Sequence, residues 1–165
     1  MIPFDLNSWI EDNRHLLKPP VGNKCVFKDE HLIVMMVGGP NDRSDFHVNE
    51  TSEFFYQIEG LLELDVQADG DLVTHIIDAG KVFLLPANVP HRPRRLENSV
   101  GLVVELVRNE KQLDGLEWYC EKCNHLLFSK RFPLTNIELD FKAVFDTYFS
   151  DRLNGKCNAC NHHNF

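Results

Sequence analysis

The sequence predicts an all-β-dominated fold, a small barrel or sandwich with a short helix before it and another helix after it. Several short segments between residues 25 and 108 alternate apolar and polar residues or form continuous apolar runs. Gly, Pro and Asn separate these segments, as they do in proteins built from many short strands. The flanking segments instead repeat apolar residues at helical spacing.

The first helix is expected over residues 8–17. Ser8 and Glu11 have the spacing of a capping box, in which two side chains satisfy free N–H groups of the first turn. Lys18-Pro19-Pro20 should end the helix, because a residue that precedes proline is pushed out of the helical region.

Six strands are predicted in the middle of the chain. They comprise residues 31–37, 52–59, 62–66, 73–77, 82–85 and 101–107. In the second strand, Glu53, Phe55 and Gln57 share one face, because successive side chains alternate across a strand. Asp69-Gly70 is a strong signal for a tight hairpin turn between the third and fourth strands.

The C-terminal segment contains a helical stripe and two cysteine pairs. The stripe comprises Phe141, Val144, Phe145, Tyr148 and Phe149, which we interpret as core packing. The pairs are Cys120-Glu-Lys-Cys123 and Cys157-Asn-Ala-Cys160. Such knuckles form tetrahedral thiolate sites for zinc or iron. Asn124 and Asn161 follow the pairs where a left-handed residue is often needed, and Cys25 is expected to be a buried, inert thiol.

Composition excludes several classes of protein. The 165 residues suit one domain with a small appendage, and the net charge of −8 argues against nucleic acid or an anionic membrane as partner. No apolar run approaches the length of a membrane span, and no secretory signal is recognised. Cysteines arranged as metal-binding pairs fit a reducing cytoplasm.

His47, Glu53 and His91 are the candidate ligands of a catalytic metal. Two imidazoles and one carboxylate form a three-ligand set for a divalent cation that leaves coordination positions open. Open positions allow a metal to hold dioxygen and a substrate together. The strands that carry these residues can bring them to one interior if they line the same barrel.

Both segments around these ligands resemble the two motifs of the cupin family. Glu53 is followed by six residues and Gly60, and Gly80 is followed by five residues, Pro86 and then His91. The resemblance covers about residues 30–107 and implies a jelly-roll-like barrel.

Two positions depart from the cupin motifs. Asn49 replaces the usual second histidine of the first motif, so three protein ligands are expected. Asn88 replaces a glycine of the second motif, which Asn tolerates because it enters the left-handed region readily.

Over nearly its whole length the chain resembles the 3-hydroxyanthranilate 3,4-dioxygenase family. The resemblance is carried by residues 16–23, 37–43, 53–57, 84–86, 89–91 and 117–120 and by the second cysteine pair. It implies a cupin barrel with the N-terminal helix in residues 1–112. It also implies a C-terminal extension in residues 113–165, packed on the same domain, with a rubredoxin-like metal site.

The same resemblance implies the cofactors and the site. Fe(II) is expected on His47, Glu53 and His91, and a second, structural iron or zinc on the four cysteines. Arg43 and Arg95 would bind the substrate carboxylate, which a planar guanidinium suits.

Glu105 would contact the substrate's amino and hydroxyl groups as hydrogen-bond partner or base, and Asn23 and Pro93 would line the dioxygen side. Independently of the resemblance, Glu105 stands out as a carboxylate in an apolar strand, on the same face as Val103, where it is costly unless paired.

The implied reaction opens the ring of 3-hydroxyanthranilate with dioxygen to give 2-amino-3-carboxymuconate semialdehyde, which cyclises to quinolinate, a precursor of NAD in the kynurenine pathway. The family also implies a homodimer. Two alternatives stay open: an iron cupin dioxygenase for a different small acid, such as a thiol or diketone, or a non-enzymatic metal-binding cupin module.

Overall fold

The computed structural model describes residues 2–19 and 22–165, so Pro20 and Val21, in the first stretch that carries the resemblance, lie outside the described residues. The described residues form two α-helices, α1 (Leu6–Asn13) and α2 (Ile137–Phe149). They also form eleven strands: β1 (Asn23–Lys28), β2 (Leu32–Gly38), β3 (Phe46–Val48), β4 (Glu53–Glu59), β5 (Leu61–Ala68), β6 (Asp71–Asp78), β7 (Val82–Leu85), β8 (His91–Arg95), β9 (Val100–Leu106), β10 (Asp114–Tyr119) and β11 (Leu126–Phe132). Neither α1 nor α2 could span a bilayer.

The strands form two antiparallel sheets. One has the order β1-β2-β9-β4-β7, and the other has the order β11-β10-β3-β8-β5-β6. Phe55, Leu85 and Val103 of the first sheet pack with Leu62 and Leu64 of the second in one buried cluster. The apolar faces predicted from alternation therefore form the interior of a barrel.

All six predicted strands are present, with bounds shifted by a few residues at most. The hairpin turn between β5 and β6 is also confirmed, because Asp69 and Gly70 have φ values of 53° and 90°. Both residues of a type I′ turn need a positive φ, which explains the Asp-Gly pair.

The predicted start of the first helix is wrong. Helix α1 begins at Leu6, and its N-cap is Asp5, whose side chain accepts a 3.0 Å hydrogen bond from the backbone N–H of Ser8. An aspartate three residues earlier thus caps the helix in place of Ser8. Glu11 pairs with Arg14 instead of closing a capping box, and a 3₁₀ turn continues the helix to Leu17.

The C-terminal segment joins the six-stranded sheet. Strand β10 pairs with β3, so that Leu116 lies opposite His47. Helix α2 covers the outer part of this sheet, where Tyr148 stacks on Trp118 with ring centroids 4.2 Å apart. Val144 and Tyr148 are buried, as the stripe predicts, whereas Phe149 at its end is half exposed.

Candidate metal centre and active site

His47, Glu53 and His91 meet inside the barrel. His47 is the middle residue of β3 and lies opposite His91, the first residue of β8, while Glu53 begins β4. Nδ1 of His47 is 3.5 Å from Oε1 of Glu53, and Nε2 of His91 is 3.4 Å from Oε2. All three side chains are buried, and their ligand atoms lie within 4.8 Å of one another. The three residues therefore form a metal-binding site.

The surroundings of Glu53 favour a charged carboxylate. Burial alone would raise its pKa, but the adjacent His91 and His47 rings lower it to about 2. Nδ2 of Asn49 donates a 3.2 Å hydrogen bond to Oε1 of Glu53, and Oδ1 of Asn49 accepts from the backbone N–H and hydroxyl of Thr51. Asn49, at the position where cupins usually have a second histidine, thus orients a ligand.

A cavity of about 100 Å³ opens next to the three metal-site residues. Its lining includes every residue that the sequence assigned to substrate or dioxygen, namely Asn23, Arg43, Pro93, Arg95 and Glu105. One small cavity therefore contains both a guanidinium that can bind a carboxylate and a metal site that can be chelated by the other end of the same molecule.

Arg95 is a buried cation whose charge has no acidic partner among the described residues. Its side chain is 2% exposed, and Nη1 donates a 2.8 Å hydrogen bond to Oε1 of Gln57. Nε has no hydrogen-bond partner among the described atoms. Burial lowers the pKa of Arg95 to about 10, which still leaves it charged at neutral pH. A buried cation with unused donors is costly unless an anion binds it.

Arg43 differs from Arg95 because it already has an acidic partner. Its guanidinium bonds to the buried carboxylate of Asp45 and lies 5.7 Å from the ring centroid of Phe141. Phe141, from α2, also packs 5.5 Å from the His47 ring. The C-terminal helix therefore contributes to the cavity wall as well as to the core.

Glu105 faces the cavity, as alternation with Val103 predicts. It lies directly opposite Glu53 across the β4–β9 ladder. Burial, and then the charge of Glu53, raise the pKa of Glu105. Nη1 of Arg108 donates to its carboxylate, which favours the charged form.

The four paired cysteines also form a cluster. Sγ of Cys120 is 3.6 Å from that of Cys160, and Sγ of Cys123 is 3.5 Å from that of Cys157. A tetrahedral site with metal–sulfur bonds of about 2.3 Å needs sulfur–sulfur distances of about 3.8 Å.

Asn124 and Asn161 confirm the predicted left-handed residues after the two knuckles, each with a φ of 58°. The expectation for Cys25 is wrong. Cys25 is exposed, because it lies on the edge strand β1 where the register shifts before Phe27.

The comparisons with known proteins agree with this geometry. The family model described as 3-hydroxyanthranilic acid dioxygenase matches residues 1–149. The chain belongs to this family. A 3-hydroxyanthranilate 3,4-dioxygenase of Xanthomonas oryzae is 51% identical over 97% of this chain and 90% of its own length. A relative of the same name from Scheffersomyces stipitis is 43% identical over 96% of this chain and 92% of its own length.

The fold of this 3-hydroxyanthranilic acid dioxygenase family member is that of a cupin, as predicted. The crystal structure of a cupin-2 domain protein from Shewanella frigidimarina superposes with a TM-score of 0.50 and 17% identity. It covers 59% of this chain and 92% of its own length.

The sequence assigned no role at the site to several polar residues that surround it, among them Gln57, Arg108 and Asp114. Gln57 holds Arg95, Arg108 holds Glu105, and Asp114 bonds to both Arg108 and His47. The fold brings Gln57 to Arg95 across 38 residues and Asp114 to His47 across 67, so no local spacing links these pairs. Arg108, in contrast, lies only three residues from Glu105 and six from Asp114. A polar residue in a strand with apolar neighbours indicates a side chain that needs a partner. This indication identified Glu105, but it was not used for Gln57 or Asp114.

Proposed function

We propose that the chain is an Fe(II)-dependent extradiol-type dioxygenase that opens the ring of 3-hydroxyanthranilate to 2-amino-3-carboxymuconate semialdehyde. The observation that carries the proposal is the buried guanidinium of Arg95, which has no acidic partner in the described part of the chain and shares a cavity with the two-histidine, one-carboxylate site. Membership of the 3-hydroxyanthranilic acid dioxygenase family supports the substrate. The product cyclises to quinolinate, which places the reaction in NAD synthesis.

The β4–β9 ladder determines the orientation in which the substrate binds. Glu53 pairs with Glu105 at one end of the ladder, and Gln57 pairs with Gly101 four residues further along. These two residue pairs are about 13 Å apart along the strand, because each residue adds about 3.3 Å. The metal ligand Glu53 belongs to the first pair, and the Arg95 side chain lies against the second. A flat aromatic acid thus binds with its carboxylate at Arg95 and its amino and hydroxyl groups towards Glu53.

Each polar residue of the cavity then has a separate role. Arg95 binds the carboxylate, and Arg43, tethered by Asp45, adds a second positive charge. Glu105 accepts hydrogen bonds from the amino and hydroxyl groups and can take the hydroxyl proton. Asn23 and Pro93 line the side from which dioxygen enters.

Iron is the proposed metal of the catalytic site. Two histidines and one carboxylate are the donor set of non-haem Fe(II) oxygenases. Bound Fe(II) supplies the redox chemistry that lets dioxygen react with a stable ring. Both oxygen atoms enter the product, so the reaction needs no outside electrons. The four-cysteine site, filled by iron or zinc, is therefore proposed to be structural.

Anaerobic loading with Fe(II), followed by air and 3-hydroxyanthranilate, tests the function. We expect one dioxygen consumed for each ring-opened product formed. Protein loaded with Zn²⁺ alone is the control and should give no product. A small thiol acid and a diketone tested in parallel represent the alternative substrates. Full iron loading without consumption of 3-hydroxyanthranilate would overturn the proposal, and dioxygen uptake with the thiol or diketone would then favour the alternative dioxygenase.

Three further predictions from the sequence remain proposals. They are the division into residues 1–112 and 113–165, the homodimer and the cytoplasmic location. Size-exclusion chromatography with light scattering would measure the oligomeric state. Expression of residues 1–112 alone would test the division: the pairing of β10 with β3 makes us expect that this fragment needs the extension for full stability.

A further inference from the structure

Asp114 is a buried carboxylate held between a metal-site histidine and an arginine. It begins β10 and is 1% exposed. Its Oδ2 lies 2.6 Å from Nε2 of His47. Arg108 donates from Nε to Oδ1 at 3.0 Å and from Nη2 to Oδ2 at 2.8 Å. The proposed function assigns Asp114 no role.

The contact with Asp114 determines which nitrogen of His47 carries the proton. A carboxylate paired with a guanidinium stays charged and only accepts, so Nε2 of His47 must donate to it. In the neutral imidazole, the form that binds a metal, Nδ1 then carries no proton, and it is the nitrogen that faces Glu53. His91 has the opposite arrangement: its Nδ1 donates to the carbonyl of Val89 at 3.1 Å, and Nε2 faces Glu53.

Arg108 connects the same carboxylate to the substrate end of the cavity. Its Nη1 donates to Glu105, while Nε and Nη2 hold Asp114. The Arg108 side chain is only 9% exposed. One buried guanidinium therefore fixes both carboxylates, and both need it because neither charge is solvated.

We propose that Asp114 is a positioning residue that locks His47 in the Nε2–H tautomer, so that His47 binds the metal through Nδ1 whereas His91 binds through Nε2. Arg108 extends this arrangement to Glu105. The proposal rests on the metal site of the proposed function. Carboxylates bonded to the free nitrogen of a metal-binding histidine commonly orient the ring, and their loss weakens metal affinity by about 10- to 100-fold.

Nuclear magnetic resonance of ¹⁵N-histidine-labelled protein tests the tautomer directly. In wild-type protein loaded with Zn²⁺, we expect proton coupling at Nε2 of His47 and at Nδ1 of His91. A wild-type His47 with its proton on Nδ1 would overturn the proposal. This measurement needs no variant and no substrate, so it stays informative even if 3-hydroxyanthranilate is not consumed.

Asp114→Ala and Asp114→Asn test the effect on metal binding. The His47 and His91 ring signals report the catalytic site separately from the cysteine site during chelator competition with Zn²⁺. We expect Asp114→Ala to weaken binding about 10- to 100-fold, and Asp114→Asn to weaken it less because the amide oxygen still accepts from Nε2.

Asp65→Asn is the matched control. Asp65 is equally buried and also bonds to two arginines, Arg92 and Arg94, but it contacts no metal-site residue. The Asp65→Asn variant should be less stable than wild type and should bind the metal with unchanged affinity. An affinity of Asp114→Ala within twofold of wild type, or an equal loss in Asp65→Asn, would show that Asp114 acts only on folding and would overturn the proposal.

Discussion

Gly101 lies directly against the guanidinium of Arg95. A Cβ atom at position 101 would overlap Nη1 of Arg95 and stand 2.9 Å from Oε1 of Gln57, the group that accepts from Nη1. Gly101 pairs with Gln57 across the β4–β9 ladder. The missing side chain therefore provides the space in which the buried cation sits.

Gly101→Ala should weaken substrate binding without touching the metal ligands. The added methyl group displaces Arg95, and losing a charged hydrogen bond costs about 1.5–3 kcal/mol, or about 10- to 160-fold in KM. KM for 3-hydroxyanthranilate should rise by this factor. KM for 2-aminophenol, which lacks the carboxylate, should stay the same. Equal changes for both compounds would contradict a carboxylate site at Arg95.

Arg95→Met should separate binding from stability. The substitution removes a buried charge that is paired with no acidic residue of the described chain. The free energy of unfolding of the substrate-free protein should therefore stay within about 1 kcal/mol of wild type or rise. KM for 3-hydroxyanthranilate should nevertheless rise by at least about tenfold. Urea unfolding and steady-state kinetics on the same preparation measure both.

The neighbouring Arg94 provides the control for Arg95. Arg94 bonds to Asp65 and Glu63 at the other face of β8. Arg94→Ala should therefore lower the free energy of unfolding by about 1 kcal/mol and leave KM unchanged. A rise in KM with Arg94→Ala as large as with Arg95→Met would indicate a general disturbance of β8.

Alternation, continuous apolar runs and turn residues were sufficient to predict six strands, because both apolar patterns are typical of strands with at least one buried face. Five strands of the described residues were not predicted, namely β1, β3, β8, β10 and β11. Strand β8 illustrates the reason. Its sequence, His-Arg-Pro-Arg-Arg, is polar throughout and contains Pro93. It is nevertheless a strand because Asp65 neutralises Arg92 and Arg94, while His91 and Arg95 point into a polar interior.

The metal ligands were predictable because motif spacing fixes them within short segments. The residues that support these ligands were not predictable, because the pairing register of the strands determines which side chains meet. Asp114 follows His47 by 67 residues, and only the pairing of β10 with β3 brings the two together. The start of α1 was misplaced because Ser8 and Asp5 are both good N-caps, and local sequence does not rank them.

Asp65 should make stability sensitive to acid. Burial alone would raise its pKa, but hydrogen bonds from Arg94, Thr74 and Arg92 lower it overall. A carboxyl group with a lowered folded-state pKa contributes stability above its unfolded value, about 3.9, and loses it as pH falls through the folded value. The free energy of unfolding should therefore fall below about pH 4.

Asp65→Asn isolates this contribution. The amide cannot titrate, so the variant should be less stable at pH 7 and show a flatter decline below about pH 4 than wild type. Urea titrations between pH 3 and pH 7 give both slopes. Identical slopes would mean that other carboxyl groups account for the acid sensitivity.

Cys160→Ser should remove the second metal and leave the ring-opening chemistry. Three thiolates hold a tetrahedral metal weakly, and a structural thiolate site contributes folding energy directly. We therefore expect one metal ion fewer per chain and a lower Tm. The kcat with full catalytic iron should stay within a few-fold, because the reaction needs no electrons from the cysteine site.

The matched control is Cys25→Ser, which changes a thiol outside the cluster. It should alter neither the metal content nor Tm, because Cys25 is exposed on an edge strand. Contact between Phe141 of α2 and His47 offers a route by which the tail could affect the catalytic site. A collapse of kcat in Cys160→Ser despite full catalytic iron would show that this route, or electron transfer, matters, and would reject a purely structural second metal.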